Sequence, residues 1–168
     1  MIVVCDTSPL NYLILLGAEE VLPLVFGAVL APPAVLLEMQ HPRAPEKVHR
    51  WAITPPVWLE VRTPVSTLPL EHLGLGESEA IALAIEVQAD KVLIDDRAAL
   101  AIANELGLSC LGTLAVLDLA AEKGLVDLPA VVAELVKTSF HAPQRLIDRL
   151  IQHDEARRGK PRRSDNQE

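Results

Sequence analysis

Six carboxylates stand where they could do chemistry. Asp6 ends the apolar run MIVVC, and Glu38 sits in PAVLLEMQ. Glu77 and Glu79 lie in GLGESEAIALA, and Asp95 and Asp96 form a doublet in VLIDDRAAL. Each has an ordinary structural use when taken alone. Asp6 can cap a helix beginning SPLN, and Asp96 one beginning RAALAIA. Glu77 and Glu79 suit the positive end of a helix, and Glu38 suits an exposed helical position. Gathered at one place they would repel one another. A hard divalent cation such as Mg²⁺ or Mn²⁺, which prefers carboxylate oxygen and water, would relieve that repulsion. A site of this kind can activate water and hold the attacking and leaving oxygens of a phosphodiester.

Whether the acids gather depends on the elements that carry them. MIVVC, AVLAP, KVLI and LSCLG read as short buried strands, and VWLEVRT, alternating with period two, as an edge strand. Between them lie helices. SPLNYLILLG opens on Ser8 and Pro9 and stops at Gly17, AEEVLPLVFG is a short second helix, and PPAVLLEMQ opens on proline. Residues 42–56, with four prolines, read as a helix bounded by turns. GESEAIALAIEVQ, DRAALAIANELG, TLAVLDLAAEKG, VDLPAVVAELVKTSF and APQRLIDRLIQHDEA complete the set. Strands alternating with helices predict an α/β fold, with a short parallel sheet of about five strands covered by helices on both faces. Ligand sites in such sheets lie at the carboxyl ends of the strands. Asp6 follows one strand, and Asp95 and Asp96 follow another, so separate segments deliver carboxylates to one edge.

Composition sets the outer limits. The chain has 168 residues, which suits a single domain, and half of them are apolar. Aromatics are 3%, so aliphatic side chains must fill the core. No apolar run approaches the ~20 residues that span a bilayer. MIVVCDTSPL lacks the basic flank of a signal peptide. Cys5 and Cys110 fit no zinc spacing and read as reduced core residues of a cytoplasmic protein. The five scattered histidines suggest no metal site.

The net charge is −8, yet RRGKPRR at 157–163 carries five of the fifteen basic residues. Without residues 157–168 the chain has ten basic and twenty-one acidic residues. Bulk charge does not draw such a body to nucleic acid. Any phosphate would have to be held through a bound cation and local basic groups. Residues 1–154 form the expected domain, and 155–168 a disordered basic tail. Asp118, Trp51 and Trp58 read as structural residues.

The ordered set DTSPL, VLLEM, LGLGESEAIALA and VLIDDRAALAIA resembles a PIN domain, and most of all the small prokaryotic proteins related to VapC-type toxins. The likeness covers roughly residues 1–140. Its stronger part is GESEAIALA, followed about 18 residues later by VLIDD. The resemblance implies a Mg²⁺- or Mn²⁺-dependent endoribonuclease in which metal-activated water attacks phosphorus in line, leaving a 3′-hydroxyl and a 5′-phosphate. Carried over residue by residue, it implies Asp6, Glu38, Glu77 and Asp96 as catalytic acids. Glu79 competes with Glu77, and Asp95 serves as a helper ligand. The family often has Asp where Glu77 stands. Thr7 and Ser8 could place a hydroxyl near the water, and Arg97 and the tail are weaker phosphate contacts. RNA, a small antitoxin filling the acidic groove, and a second copy of the chain are the implied partners. Two rivals remain. One is a non-catalytic module of the same fold that binds RNA or protein. The other is a phosphohydrolase with Asp6 as covalent nucleophile, which usually needs an acid two residues on, where Ser8 stands.

Overall fold

A computed structural model describes residues 1–66, 70 and 72–159. Among these residues the chain forms one α/β domain with a five-stranded sheet and nine helices. The strands are β1 (Ile2–Cys5), β2 (Ala28–Ala31), β3 (Leu59–Val61), β4 (Lys91–Leu93) and β5 (Cys110–Leu111). All pairings are parallel, in the order β3-β2-β1-β4-β5. The chain builds outward from β1 to β3, then crosses back to lay β4 on the other side of β1. Strand order therefore reverses between β1 and β4, the place where such sheets open a crevice at their carboxyl edge. The bond from the Asp6 N–H to the Leu93 carbonyl, 3.0 Å, closes the two strands at that edge.

The inner strands are apolar on both faces because both faces are covered. Val3, Cys5, Val29, Ala31 and Leu93 point into one core layer, and Val4, Leu30, Val92 and Ile94 into the other. The first layer is closed by α1 (Thr7–Leu16), α2 (Val21–Phe26), α3 (Pro33–Met39), α4 (Glu46–Ile53), α7 (Thr113–Glu122), α8 (Leu128–Leu135) and α9 (Gln144–Arg158). The second is closed by α5 (Leu75–Glu86) and α6 (Arg97–Glu105). Small residues in α5 and α6, among them Ala80, Ala84, Ala99 and Ala103, let these helices sit close to the sheet. Gly17 ends α1 as expected, with φ at 67°, a conformation that suits glycine.

Three boundaries differ from expectation. Helix α5 starts at Leu75, one residue before the expected GESEAIALAIEVQ, so Gly76 lies inside its first turn. Helix α8 stops at Leu135, where the Thr138 hydroxyl takes the Leu135 carbonyl and redirects the chain toward Phe140. The expected tail also begins too early, because α9 continues through residues 155–158. Arg157 Nη2 donates to Asp118 Oδ1 and Asp154 Oδ1, each at 2.8 Å. Arg158 donates to Asp127 and brings Nε to 2.7 Å from the second Asp154 oxygen. Those ion pairs hold the last turn, and the rest of the expected tail, 160–168, lies outside the described residues. Asp118 is thereby a structural partner. Trp51 and Trp58 pack together with ring centroids 5.9 Å apart. No helix among the described residues is long and apolar enough to cross a membrane.

Candidate active site

Asp6 sits at the end of the central strand, 1% exposed. It occupies the N-cap position of α1, with extended backbone, yet its side chain closes no capping hydrogen bond. Its Oδ1 is buried without a partner. Burying a carboxylate disfavours the charged form. Burial is the main reason its pKa is pushed up to about 7, and the charges of Glu77 and Glu38 add to the effect. The nearby N–H groups of Thr7 and Ser8 pull the other way but do not prevail. A buried acid left unpaired at a strand terminus is not explained by capping.

Glu38 reaches the same edge from α3. The Thr7 hydroxyl donates to its Oε2 at 2.5 Å, and the Gly76 N–H donates to its Oε1 at 2.9 Å. One carboxylate thus ties α1 to the first turn of α5. This works only because residue 76 has no side chain: a Cβ there would lie 2.7 Å from Glu38 Oε2. Glu77, half-buried in that first turn, accepts the Gly74 N–H through Oε2 at 2.8 Å. Burial raises its pKa, the Gly74 N–H lowers it, and the charges of Asp96 and Glu38 raise it again. Asp96 caps α6 by accepting the Ala98 and Ala99 N–H groups at 2.8 and 3.0 Å, both on Oδ1.

The field of each acid therefore reaches the next. Asp6 feels Glu38 and Glu77, and Glu77 feels Glu38 and Asp96. These four come from the end of β1, from α3, from the start of α5 and from the cap of α6. The structure brings them together at the crevice between β1 and β4.

Glu79 and Asp95, the other two candidate ligands, are committed elsewhere. Glu79 Oε2 accepts the Ala34 N–H at 3.3 Å and holds α5 against α3. Asp95 is taken up by one residue: the Thr113 N–H donates to Oδ1 at 2.8 Å and its hydroxyl to Oδ2 at 2.6 Å. The doublet thus divides its labour. Asp95 moors the start of α7 to the end of β4, and Asp96 faces the other acids. Thr113, fully buried, was legible only as a helix start, because its partner lies 18 residues away. Thr7 holds Glu38 rather than standing free, and Arg97 is exposed at the first turn of α6.

The all-oxygen donor set and the unpartnered Asp6 Oδ1 fit a hard divalent cation. In the arrangement described, no three His, Cys, Asp or Glu side chains among the described residues stand close enough to form a ready-made cage. Each carboxylate oxygen has a second lone pair, so Glu38 and Glu77 could keep their N–H and hydroxyl partners while offering oxygen to an ion.

Residues 2–156 match the model of the family DUF3368, described as a PIN domain. A solved structure of a PilT N-terminus domain protein from the hyperthermophilic archaeon Sulfolobus solfataricus P2 is 17% identical to this chain. That likeness covers 85% of this chain and 100% of the other, with a TM-score of 0.48. No curated protein matches.

Proposed function

This chain belongs to the PIN domain family, whose members are generally nucleases using divalent metal ions, and from that premise we propose that it is a Mg²⁺- or Mn²⁺-dependent endoribonuclease. Asp6, Glu38, Glu77 and Asp96 would hold the metal. The observation that carries the reading is the buried, unpartnered oxygen of Asp6 amid the charges of Glu38 and Glu77. Without a cation, the site lowers its own repulsion by keeping a proton on Asp6 up to about pH 7. A bound cation would replace that proton, polarise the scissile phosphate and make water a competent nucleophile. The chain's own contribution is to fix the acids. Gly76 and Thr7 orient Glu38, and the Gly74 N–H orients Glu77. The α6 cap uses one oxygen of Asp96, and the other would be the one offered to the metal.

RNA as substrate and a toxin role are supported by the resemblance of DTSPL, GESEAIALA and VLIDD to the toxin-related subgroup. In that role a small antitoxin would cover the acidic edge. A homodimer is part of the same reading, with exposed Leu24, Leu37 and Ile53 as apolar surface available to it.

The test is cleavage of a labelled structured RNA with Mn²⁺ and with EDTA, by the natural chain and by an Asp6→Asn/Asp96→Asn double variant. Cutting that needs metal and disappears in the variant supports the reading. No cutting of several RNAs, together with no calorimetric metal binding, returns the acids to structural roles and favours the non-catalytic module. Turnover of p-nitrophenyl phosphate would favour the phosphohydrolase instead. Growth arrest on expression, absent in the double variant, tests the toxin role.

A further inference from the structure

A cavity of about 540 Å³ opens beside Asp96, and its lining differs in chemistry from the acidic edge. Ser8 and Tyr12 come from α1, Asp96 and Arg97 from the start of α6, and Phe140 and His141 from the segment between α8 and α9. Leucines from several elements complete the floor. The chain has five Phe, Trp and Tyr residues in all, and two of them, Tyr12 and Phe140, pack half-buried against the core and line this open cavity. Their rings meet edge to face, with centroids 5.1 Å apart and planes at 86°. The Tyr12 hydroxyl lies 3.3 Å from Ser139 Oγ, which fixes the ring's tilt. His141 Nδ1 lies 2.6 Å from the Ser139 carbonyl oxygen, which can only accept. In the neutral ring Nδ1 therefore carries the proton, and Nε2 is left as an acceptor.

We propose that this cavity binds a nucleobase of the substrate strand, next to the phosphate held at the acidic edge. The inference rests on the nuclease reading and names the part of the substrate that the acids do not touch. Flat aromatic surface with apolar floor suits a base ring, and such stacking tolerates any base. The rim offers a base edge both kinds of partner, a donor in Arg97, an acceptor in His141 Nε2, and the Tyr12–Ser139 hydroxyl pair, one member of which keeps its O–H to donate. A phosphate does not fit, because two carboxylates, Asp95 and Asp96, share the lining with a single arginine. The volume falls within the range of ordinary small-molecule sites. Asp96 belongs both to this wall and to the four acids, so a base seated here leaves its own phosphate beside them.

The experiment is binding of a short labelled single-stranded RNA, measured by fluorescence anisotropy with Ca²⁺ present, so that a hard cation offsets the carboxylates, and with the strand checked intact on a gel. The same strand is tested with an abasic site introduced at one position at a time. The natural chain is compared with Arg97→Ala and His141→Ala, both at exposed positions where the fold does not depend on them. The expected result is one position at which losing the base weakens binding by about fivefold or more. The two variants should weaken binding of the intact strand by a similar factor and binding of that abasic strand by less than about twofold. Equal losses on every strand would mean that these residues act through charge alone, and would overturn the proposal. So would indifference to the base at all positions. Loss of a protein partner's binding in the variants, with RNA binding unchanged, would assign the cavity to protein and also overturn it. Cutting is read separately with Mn²⁺, so a chain that binds in this base-dependent way but never cleaves RNA would sink the nuclease reading alone. A chain that cleaves with Mn²⁺ but ignores the base would sink the pocket alone.

Discussion

Replacing Asp6 with Asn should make the metal-free protein more stable, and increasingly so as the pH rises. Asn is close in shape to a protonated Asp and cannot ionise. In the folded chain Asp6 titrates at about 7, against an ordinary value of 3.8. Because the folded value is the raised one, the stability that goes with a neutral Asp6 is fully present below 3.8. It is lost as the pH climbs through about 7. At about pH 8 the natural chain must bury a charge that costs about 4 kcal/mol relative to the unfolded state. At about pH 5 the same group costs only about 1.5 to 2 kcal/mol, since just the unfolded chain has ionised there. The variant should therefore gain about 2.5 kcal/mol on the natural chain between those two pH values. Urea unfolding in EDTA, followed by circular dichroism at both pH values, reads this directly. Adding Mn²⁺ at about pH 8 should reverse the order, because only the natural chain keeps the carboxylate that binds the ion and is stabilised by it. A stability difference independent of pH, or an equal response of both proteins to Mn²⁺, would refute the argument that Asp6 is a buried charge awaiting a cation.

Three further outcomes separate the acids by role, and a fourth tests the ion pairs that hold the last turn of α9. Gly76→Ala should leave thermal stability nearly unchanged, since about 1 kcal/mol of helix propensity offsets the weakened Glu38 bonds to Thr7 and Gly76. It should still lower metal-dependent cleavage about tenfold or more, because the new Cβ displaces the Glu38 carboxylate from 2.7 Å away. Asp95→Ala should cost about 2 to 3 kcal/mol in urea unfolding by orphaning the buried Thr113 N–H and hydroxyl, while stabilisation by Mn²⁺ stays intact. Asp96→Ala should cost only about 1 kcal/mol, the value of a helix cap, and abolish that Mn²⁺ response. Arg157→Ala should cost about 2 kcal/mol at neutral pH, since it removes two pairs and leaves the 1%-exposed Asp154 to Arg158 alone.

The fold was legible because its signals are local. Continuous apolar runs such as MIVVC mark strands covered on both faces, and Gly17 marks the end of α1. The α9 boundary was not, because what holds its last turn is distant. RRGKPRR looks like a solvated charge run until Asp118 and Asp127, far back in the chain, are seen to pair with Arg157 and Arg158. The premature end of α8 has a similar origin, in a threonine hydroxyl competing for a backbone carbonyl.

The acids divide along the same line. Residue type and position nominate all six carboxylates equally, since each sits at a strand end or on a helix where an acid is useful. Only contacts across the chain separate them. Glu79 and Asp95 each find donors that use them structurally, the Ala34 N–H and both groups of Thr113. Glu38, Glu77 and Asp96 also find donors, yet remain within one another's field, and Asp6 finds none for its buried Oδ1. A protein that satisfies five acids and leaves the most deeply buried one unsatisfied has not optimised that position for folding. The energetic penalty at Asp6 falls where the strand order reverses, which is where this architecture places its ligands. Strain that persists at such a point is better accounted for by what binds there than by what the local sequence needs.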